Sequence, residues 1–165
     1  MAAEFSFDVV SEVDLNLVQE SVQVAMREIA NRFDFKGSQA SIELSPKEKT
    51  LTVRAEDEYR INALLDILNT RMAKRGLPLK NFKRGAIETA LGQTARMEVQ
   101  VQAGIPSEKA REIVAAIKQA KLKATPSVQG DQVRVSSRSK DELQAAIALL
   151  KGRDFGIDLQ FKNYR

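Results

Sequence analysis

The segment of residues 31–37 combines cationic and aromatic side chains within one predicted loop. Arg32 and Lys36 flank Phe33 and Phe35, and Gly37 follows them. Guanidinium and ammonium groups bind phosphates, and an aromatic ring can stack on a base. Arg32, Phe33, Phe35 and Lys36 are therefore candidates for nucleotide binding. The alternative is that the rings anchor the loop in a core while the charges are solvated, and we expect this for at least one phenylalanine.

A second set of candidates lies on strands of the C-terminal half. The alternation of apolar and polar residues there predicts one polar, cationic face, because successive side chains of a strand point to opposite sides. Four side chains are predicted on this face: Arg134, Arg138, Lys162 and Tyr164. Arginine binds phosphate in a bidentate manner, and tyrosine can stack on a base. The alternative is an ordinary solvated face, or one buried against the other domain.

Several kinds of catalytic site are excluded by composition. The chain contains neither Cys nor His, so it lacks disulfides, thiol nucleophiles, His-based triads and the usual zinc sites. Neither the P-loop motif nor the dinucleotide-binding glycine motif occurs. Carboxylates cluster at residues 56–58 and 141–142, where each group begins a predicted helix and suits its dipole. We predict no catalytic residues, no metal site, no cofactor and no enzymatic activity.

Charge is distributed unevenly along the chain. Residues 91–165 hold 13 Lys and Arg against 8 Asp and Glu, whereas residues 1–90 hold 13 against 14. A mildly basic half suits an anionic partner such as a nucleotide or RNA, although ordinary solubility explains it equally well. No apolar run is long enough to span a membrane, and the first residues do not resemble a signal peptide. We therefore expect a cytoplasmic protein without a membrane partner.

The periodicity of apolar residues predicts the same order of elements twice. Strand, helix, hairpin, helix and strand follow one another in residues 1–90 and again in residues 91–165. Three helices begin after residues suited to capping, namely Asp14, Asp57 and Ser139. We predict hairpins at residues 40–56 and 128–135 because each combines two alternating segments with a turn.

This order is typical of the ferredoxin-like, or RNP-like, βαββαβ unit. The predicted fold class is therefore α+β, with two tandem domains at residues 1–90 and 91–165 joined within residues 84–94. In such a unit two helices cover one face of an antiparallel sheet and leave the other face open. The sequence leaves open whether the first strand of one half pairs into the sheet of the other.

The open faces differ from those of RNA-recognition motifs in one respect. Those motifs carry exposed rings on their two central strands for stacking on bases. The strands predicted as central here, at residues 95–102 and 132–138, point no aromatic side chain outward. A standard RNA-recognition mode is therefore not expected, and phosphate contacts with aromatic residues in loops are the remaining route to RNA.

Five segments together resemble the YajQ family, also called UPF0234. They are residues 5–14 (FSFDVVSEVD), 32–37 (RFDFKG), 128–135 (VQGDQVRV), 141–144 (DELQ) and 159–163 (LQFKN). The resemblance extends over nearly the whole chain. It implies a bacterial cytoplasmic protein with two RNP-related domains, in a tandem or circularly permuted arrangement, that binds nucleotides. Family members are linked to GTP and tRNA, and some to cyclic di-GMP sensing coupled to transcription.

Two non-catalytic functions follow from these observations. The first is binding of a guanine nucleotide, cyclic di-GMP or tRNA or other RNA, with a regulatory role. The second is an adaptor that contacts a protein such as a transcription regulator. The two can coexist if a ligand shifts the population of the conformation that the partner recognises.

Overall fold

The computed structural model describes residues 4–89, 92 and 94–165. The capping residues Asp14, Asp57 and Ser139 were predicted correctly, since each side chain accepts hydrogen bonds from backbone amides in the first turn of its helix. Within the described residues there are four α-helices: α1 (Leu15–Ala30), α2 (Glu58–Lys74), α3 (Ser107–Gln119) and α4 (Lys140–Lys151). No helix in these ranges is both long and apolar enough to cross a membrane.

The strands of the described residues form two antiparallel sheets. The strands are β1 (Phe5–Val10), β2 (Ser41–Ser45), β3 (Thr50–Ala55), β4 (Phe82–Arg84), β5 (Glu88–Thr89), β6 (Ala95–Val101), β7 (Thr125–Gln129), β8 (Gln132–Ser137) and β9 (Gln160–Lys162). One sheet has the order β7-β8-β1-β9, and the other has the order β2-β3-β6-β4, with β5 also pairing with β6. Two single turns of 3-10 helix, Phe33–Phe35 and Leu79–Asn81, lie in connecting segments.

Each sheet carries two helices on one face, which confirms the predicted ferredoxin-like fold class. Helices α1 and α2 pack on the sheet that contains β3, and helices α3 and α4 pack on the sheet that contains β8. The first core includes Leu51, Leu64 and Met97, and the second includes Phe7 and Ile113. Burial of these aliphatic and aromatic side chains between helix and sheet stabilises each layer pair.

The first strands of the two halves are exchanged between the sheets. Strand β1 pairs with β8 and β9 of the C-terminal half, and β6 pairs with β3 and β4 of the N-terminal half. The chain accordingly divides into one unit formed by residues up to 12 and from 103 onward, and a second unit formed by residues 13–102. The compact units therefore differ from the division at residues 1–90 and 91–165. Of the predicted join at residues 84–94, positions 90, 91 and 93 lie outside the described residues.

The two compact units differ less in net charge than the two halves of the sequence, because the strands are exchanged. The unit of residues 13–102 holds 14 Lys and Arg against 12 Asp and Glu, and the other unit holds 12 against 10. Each unit thus has a similar, slightly positive net charge. The net charges therefore do not indicate which unit binds an anion, and the candidate site has to be identified from its local geometry.

Candidate functional site

The open face of the sheet in the unit of residues 4–12 and 103–165 carries a cluster of charges. On β1, Phe7 and Val9 lie opposite Val135 and Val133 of β8, and all four are buried against the helices. Because residues directly opposite each other share a face, Asp8 lies on the other side of the sheet, opposite Arg134 on β8 and Lys162 on β9. Both Arg134 and Lys162 were predicted to point outward, and the register places them on one face.

A buried carboxylate organises this cluster. Asp8 is only 1% exposed. Its carboxylate accepts hydrogen bonds from Arg134 Nε at 2.9 Å and from Asn163 Nδ2 at 2.8 Å. The hydrogen bond from Arg134 is the main cause that lowers the pKa of Asp8; burial opposes it, and Asn163 and the charge of Arg165 add to the lowering. Asp8 therefore stays ionised and fixes the guanidinium beside it.

A β-bulge at Asn163 changes the direction of the side chains that follow it. Asn163 has a φ of 56°, which asparagine adopts more readily than most residues. Lys162 lies opposite Asp8, yet Ser6 exchanges both backbone hydrogen bonds with Arg165, at 3.1 and 2.9 Å. One extra residue is thus accommodated between these pairs, which places Arg165 on the same face as Asp8.

The bulge moves Tyr164 away from the predicted face. Its ring centroid lies 6.2 Å from that of Phe7, which belongs to the face covered by helices. The alternation that grouped Tyr164 with Lys162 therefore fails at Asn163, although the Tyr164 side chain remains largely exposed. We define the Arg134 face as Asp8, Arg134, Lys162, Asn163 and Arg165.

The remaining cations near this face differ in their partners. The ammonium group of Lys162 forms an ion pair with the carboxylate of Glu12. Arg138 follows the last residue of β8, is exposed, and makes no ion pair with any described residue. Among the described residues, no aromatic ring lies on the open face of the central strands β1 and β8, whose outward positions are held by Ser, Asp, Val, Gln and Arg. This face therefore lacks the stacking surface of RNA-recognition motifs.

The loop of residues 31–37 separates its two rings. Phe33 is 89% exposed, whereas Phe35 is 5% exposed and packs in the core of residues 13–102. The two residues lie in one turn of 3-10 helix, where side chains two positions apart point in different directions. The expectation that at least one phenylalanine anchors the loop is confirmed for Phe35, and Phe33 is the ring that remains available.

Charged groups of the same loop are partly neutralised. Arg32 donates hydrogen bonds from Nε and Nη2 to the carboxylate of Asp34, at 2.9 and 2.6 Å, and its guanidinium lies 5.4 Å from the Phe35 ring centroid. Tyr59 OH lies 3.5 Å from the same carboxylate, and its ring is 64% exposed. Lys36 is exposed and has no ion pair with a described residue. The loop therefore presents Phe33 and Lys36, with Tyr59 of α2 beside Asp34, while the charge of Arg32 is matched by Asp34.

The eight predicted residues thus form two groups on different units. Arg32, Phe33, Phe35 and Lys36 belong to residues 13–102, and Arg134, Arg138, Lys162 and Tyr164 belong to the other unit. Sequence analysis missed Asp8, Asn163 and Arg165. Asn163 could have been noticed, because asparagine takes a positive φ more readily than most residues. Within the ranges that the structure describes, no group of three or more acidic side chains could hold a metal ion.

Stability at low pH tests the role of Asp8. Since the pKa of Asp8 is lowered from 3.8 in the folded chain, its stabilising contribution is complete above that value and is lost as the pH falls through the lower folded pKa. We expect Asp8→Asn to unfold more easily at neutral pH and to lose less further stability on acidification below 3.8 than the unchanged chain. Urea unfolding at a series of pH values measures both effects.

The control for this measurement is Asp66→Asn, because Asp66 is exposed on α2 and its carboxylate has no ion pair with a described residue. It should leave the acid dependence nearly unchanged. Equal acid dependence in Asp8→Asn and the unchanged chain would contradict the role assigned to Asp8.

Known proteins similar to this chain share its full length. It is 56% identical over 163 residues to a nucleotide-binding protein from Elusimicrobium minutum, covering 99% of both chains. It is 48% identical over 165 residues to a nucleotide-binding protein from Carboxydothermus hydrogenoformans, covering all of both chains. Residues 5–165 match the family described as nucleotide-binding protein YajQ-like. With this match and with the exchanged pair of ferredoxin-like sheets, the chain belongs to the YajQ family.

Proposed function

We propose that this chain is a non-catalytic, cytoplasmic nucleotide-binding protein and that the Arg134 face contacts the phosphates. The observation that carries the proposal is the buried Asp8, which holds Arg134 on the open face. Arg134 uses Nε and Nη2 for Asp8, while Nη1 has no hydrogen bond to a described residue. The names of the relatives, which refer to nucleotide binding, support the same function.

Fixing the guanidinium in advance favours phosphate binding. The Arg134 side chain is 33% exposed, so an anion can reach it without unfolding the sheet. A side chain that is already ordered loses less conformational entropy when a ligand binds. Lys162 and Arg165 add cationic groups on the same face, although Lys162 is paired with Glu12. Arginine can bind phosphate oxygens through paired donors, which lysine cannot do.

The loop of residues 31–37 supplies the second part of the proposal. The exposed rings of Phe33 and Tyr59 can stack on bases, and Lys36 can contact a neighbouring phosphate. GTP, cyclic di-GMP and tRNA or other RNA all carry bases and phosphates. Each ligand is therefore compared between variants of the Arg134 face and variants of the loop.

Calorimetric titration at low salt tests this function. GTP, cyclic di-GMP and a short single-stranded RNA are titrated separately into the unchanged chain. We expect saturable heat from at least one ligand, with an affinity that falls as salt increases because phosphate contacts release counterions. Absence of heat from all three ligands at low salt would overturn the proposal. Incubation of the chain with GTP and Mg²⁺ should release no phosphate over time.

A protein-interaction adaptor, for example for a transcription regulator, is the second candidate function. The observation that favours it is the exposure of Phe33 and Tyr59, since exposed aromatic residues often form the centre of protein interfaces. If this function dominates, Phe33→Ala should abolish capture of the regulator and leave nucleotide affinity unchanged. If Phe33 stacks on a base, the same variant should weaken RNA binding.

A further inference from the structure

The backbone conformation of Asn163 determines which side chain lies next to Ser6 on the open face. If the register of β9 on β1 continued without a bulge, Tyr164 would lie opposite Ser6 and Arg165 would lie on the face covered by helices. The positive φ of Asn163 reverses this order. Arg165 exchanges both backbone hydrogen bonds with Ser6. The Tyr164 ring instead lies near that of Phe7 on the covered face. A cation rather than a ring is thus placed on the open face.

The side chain of Asn163 acts on the same face in a second way. Its amide donates a hydrogen bond of 2.8 Å to Oδ2 of Asp8. Nε of Arg134 donates to Oδ1 of Asp8 at 2.9 Å, whereas Nη2 reaches Oδ2 only at 3.5 Å, beyond the range of a strong hydrogen bond. The carboxylate is therefore satisfied without a short bond from a terminal nitrogen of the guanidinium. Both terminal nitrogens remain available for the paired bonds that a phosphate accepts.

Asparagine is suited to both of these effects. Its left-handed conformation is less costly than that of most residues, and its amide is a donor. Glycine would adopt the same φ without the donor. Aspartate would place a second carboxylate against Asp8. Asn163 is exposed, so neither its conformation nor its amide is needed to fill a core.

We propose that Asn163 is a positioning residue of the phosphate site on the Arg134 face. Its backbone brings Arg165 to the open face, and its amide leaves the terminal nitrogens of Arg134 available to phosphate. After the hydrogen bonds from Arg134 and Asn163, the charge of Arg165 also lowers the pKa of Asp8. Both guanidinium groups therefore act on one carboxylate. This inference rests on the proposed function, and it adds Arg165 as a second arginine for the same anion.

Calorimetric titration with tripolyphosphate, which carries phosphates but no base, separates the two effects. Asn163→Gly retains a residue that readily adopts a positive φ and removes only the amide. Arg165 should stay in place, so the affinity should fall about 2- to 10-fold while its dependence on salt is unchanged.

Asn163→Val is the matched variant, because it also removes the amide but its β-branched side chain disfavours a positive φ. The end of the chain should then continue the regular alternation or detach from β1, and Arg165 leaves the open face in either case. We expect a loss of affinity of at least about 10-fold. The salt slope should fall by about one unit.

A double-mutant cycle shows whether the backbone of Asn163 acts through Arg165. Arg165→Gln should weaken binding and lower the salt slope both in the unchanged chain and in Asn163→Gly. The same change should have almost no effect in Asn163→Val, because the guanidinium is already displaced. A purely structural role of Asn163 would leave the effect of Arg165→Gln equal in all three backgrounds.

Nuclear magnetic resonance of the chain without ligand reports on the bulge independently of binding. The ring centroids of Tyr164 and Phe7 lie 6.2 Å apart, so their ring protons should show a contact. We expect this contact in the unchanged chain and in Asn163→Gly, and its loss in Asn163→Val.

These measurements distinguish failure of the inference from failure of the proposed function. If tripolyphosphate does not bind the unchanged chain at low salt, the phosphate site is wrong and the positioning role is overturned with it. If tripolyphosphate binds, but Asn163→Val loses the ring contact without a change in affinity or salt slope, the site stands and the positioning role is wrong. The bulge would then only protect the edge of the sheet at β9. If Asn163→Val does not fold, unchanged affinity in both Asn163→Gly and Arg165→Gln overturns the proposal.

Discussion

Phe7→Ala is expected to reduce the free energy of unfolding by about 3–5 kcal/mol. The Phe7 side chain is fully buried, and its ring lies 5.8 Å from that of Phe161. Truncation removes apolar burial and leaves a cavity between β1 and the helices. Because β1 belongs to the sheet of β8 and β9, the loss should fall on the C-terminal unit although Phe7 lies near the start of the chain.

Hydrogen exchange of backbone amides distinguishes the two units. In Phe7→Ala, protection should fall first in β8 and β9. The matched variant is Leu64→Ala on α2, since Leu64 is also fully buried but belongs to the core of residues 13–102. It should reduce protection first in β2 and β3. If Phe7→Ala loosened β2 and β3 while β8 and β9 stayed protected, the exchanged pairing of β1 would be wrong.

Arg134→Gln should weaken nucleotide binding at least 10-fold, because hydrogen bonds to charged groups contribute about 1.5–3 kcal/mol. Glutamine can still donate a hydrogen bond to Asp8, so the sheet should remain folded, but the charge and the additional donor for phosphate are lost. If Arg134 contacts one phosphate, the dependence of affinity on salt should also fall by about one unit of slope. Calorimetry at several salt concentrations measures both quantities.

Arg111→Gln is the control for this change. Arg111 is exposed on α3, which packs on the opposite side of the same sheet. The variant removes the same charge from the same unit, so it reproduces any general electrostatic effect. Its affinity should change less than twofold. Equal losses in Arg111→Gln and Arg134→Gln would indicate attraction by net charge rather than a site on the Arg134 face.

Local signals in the sequence were sufficient for helices α1 to α4 and for the described strands except β5, which was not predicted. Asp14, Asp57 and Ser139 cap their helices as predicted because capping depends on residues only two or three positions apart. Likewise, the alternation in β8 correctly separated Arg134 from Val133 and Val135. Such features are encoded within a few residues and need no knowledge of distant contacts.

The partners of the strands could not be predicted in the same way. Phe7 and Val9 on β1 have the same apolar alternation as Met97 and Val99 on β6. Either strand fits either sheet as judged by periodicity alone. The choice depends on packing against complete cores, which joins residues from distant parts of the chain.

The organisation of the candidate site depends on similar long-range contacts. Asp8 is buried because Arg134 and Asn163 satisfy its carboxylate, and these partners lie 126 and 155 positions away. No local pattern distinguishes Asp8 from a solvated aspartate. The 3-10 turn at Phe33–Phe35 explains why the two rings diverge, whereas an extended segment would have kept them together.

The exchange of first strands has a consequence during synthesis of the chain. Residues 13–102 contain all the strands of their own sheet, so this sheet can close while translation continues. Strand β1 leaves the ribosome earlier but must await β8. Asp8 on β1 and its partner Arg134 on β8 are 126 positions apart in the chain. At about 5–20 residues per second, that delay is roughly 6–25 s. Strand β1 is therefore made before the other described strands and is among the last to be paired. In the nascent protein it is an unprotected apolar strand that other chains could capture.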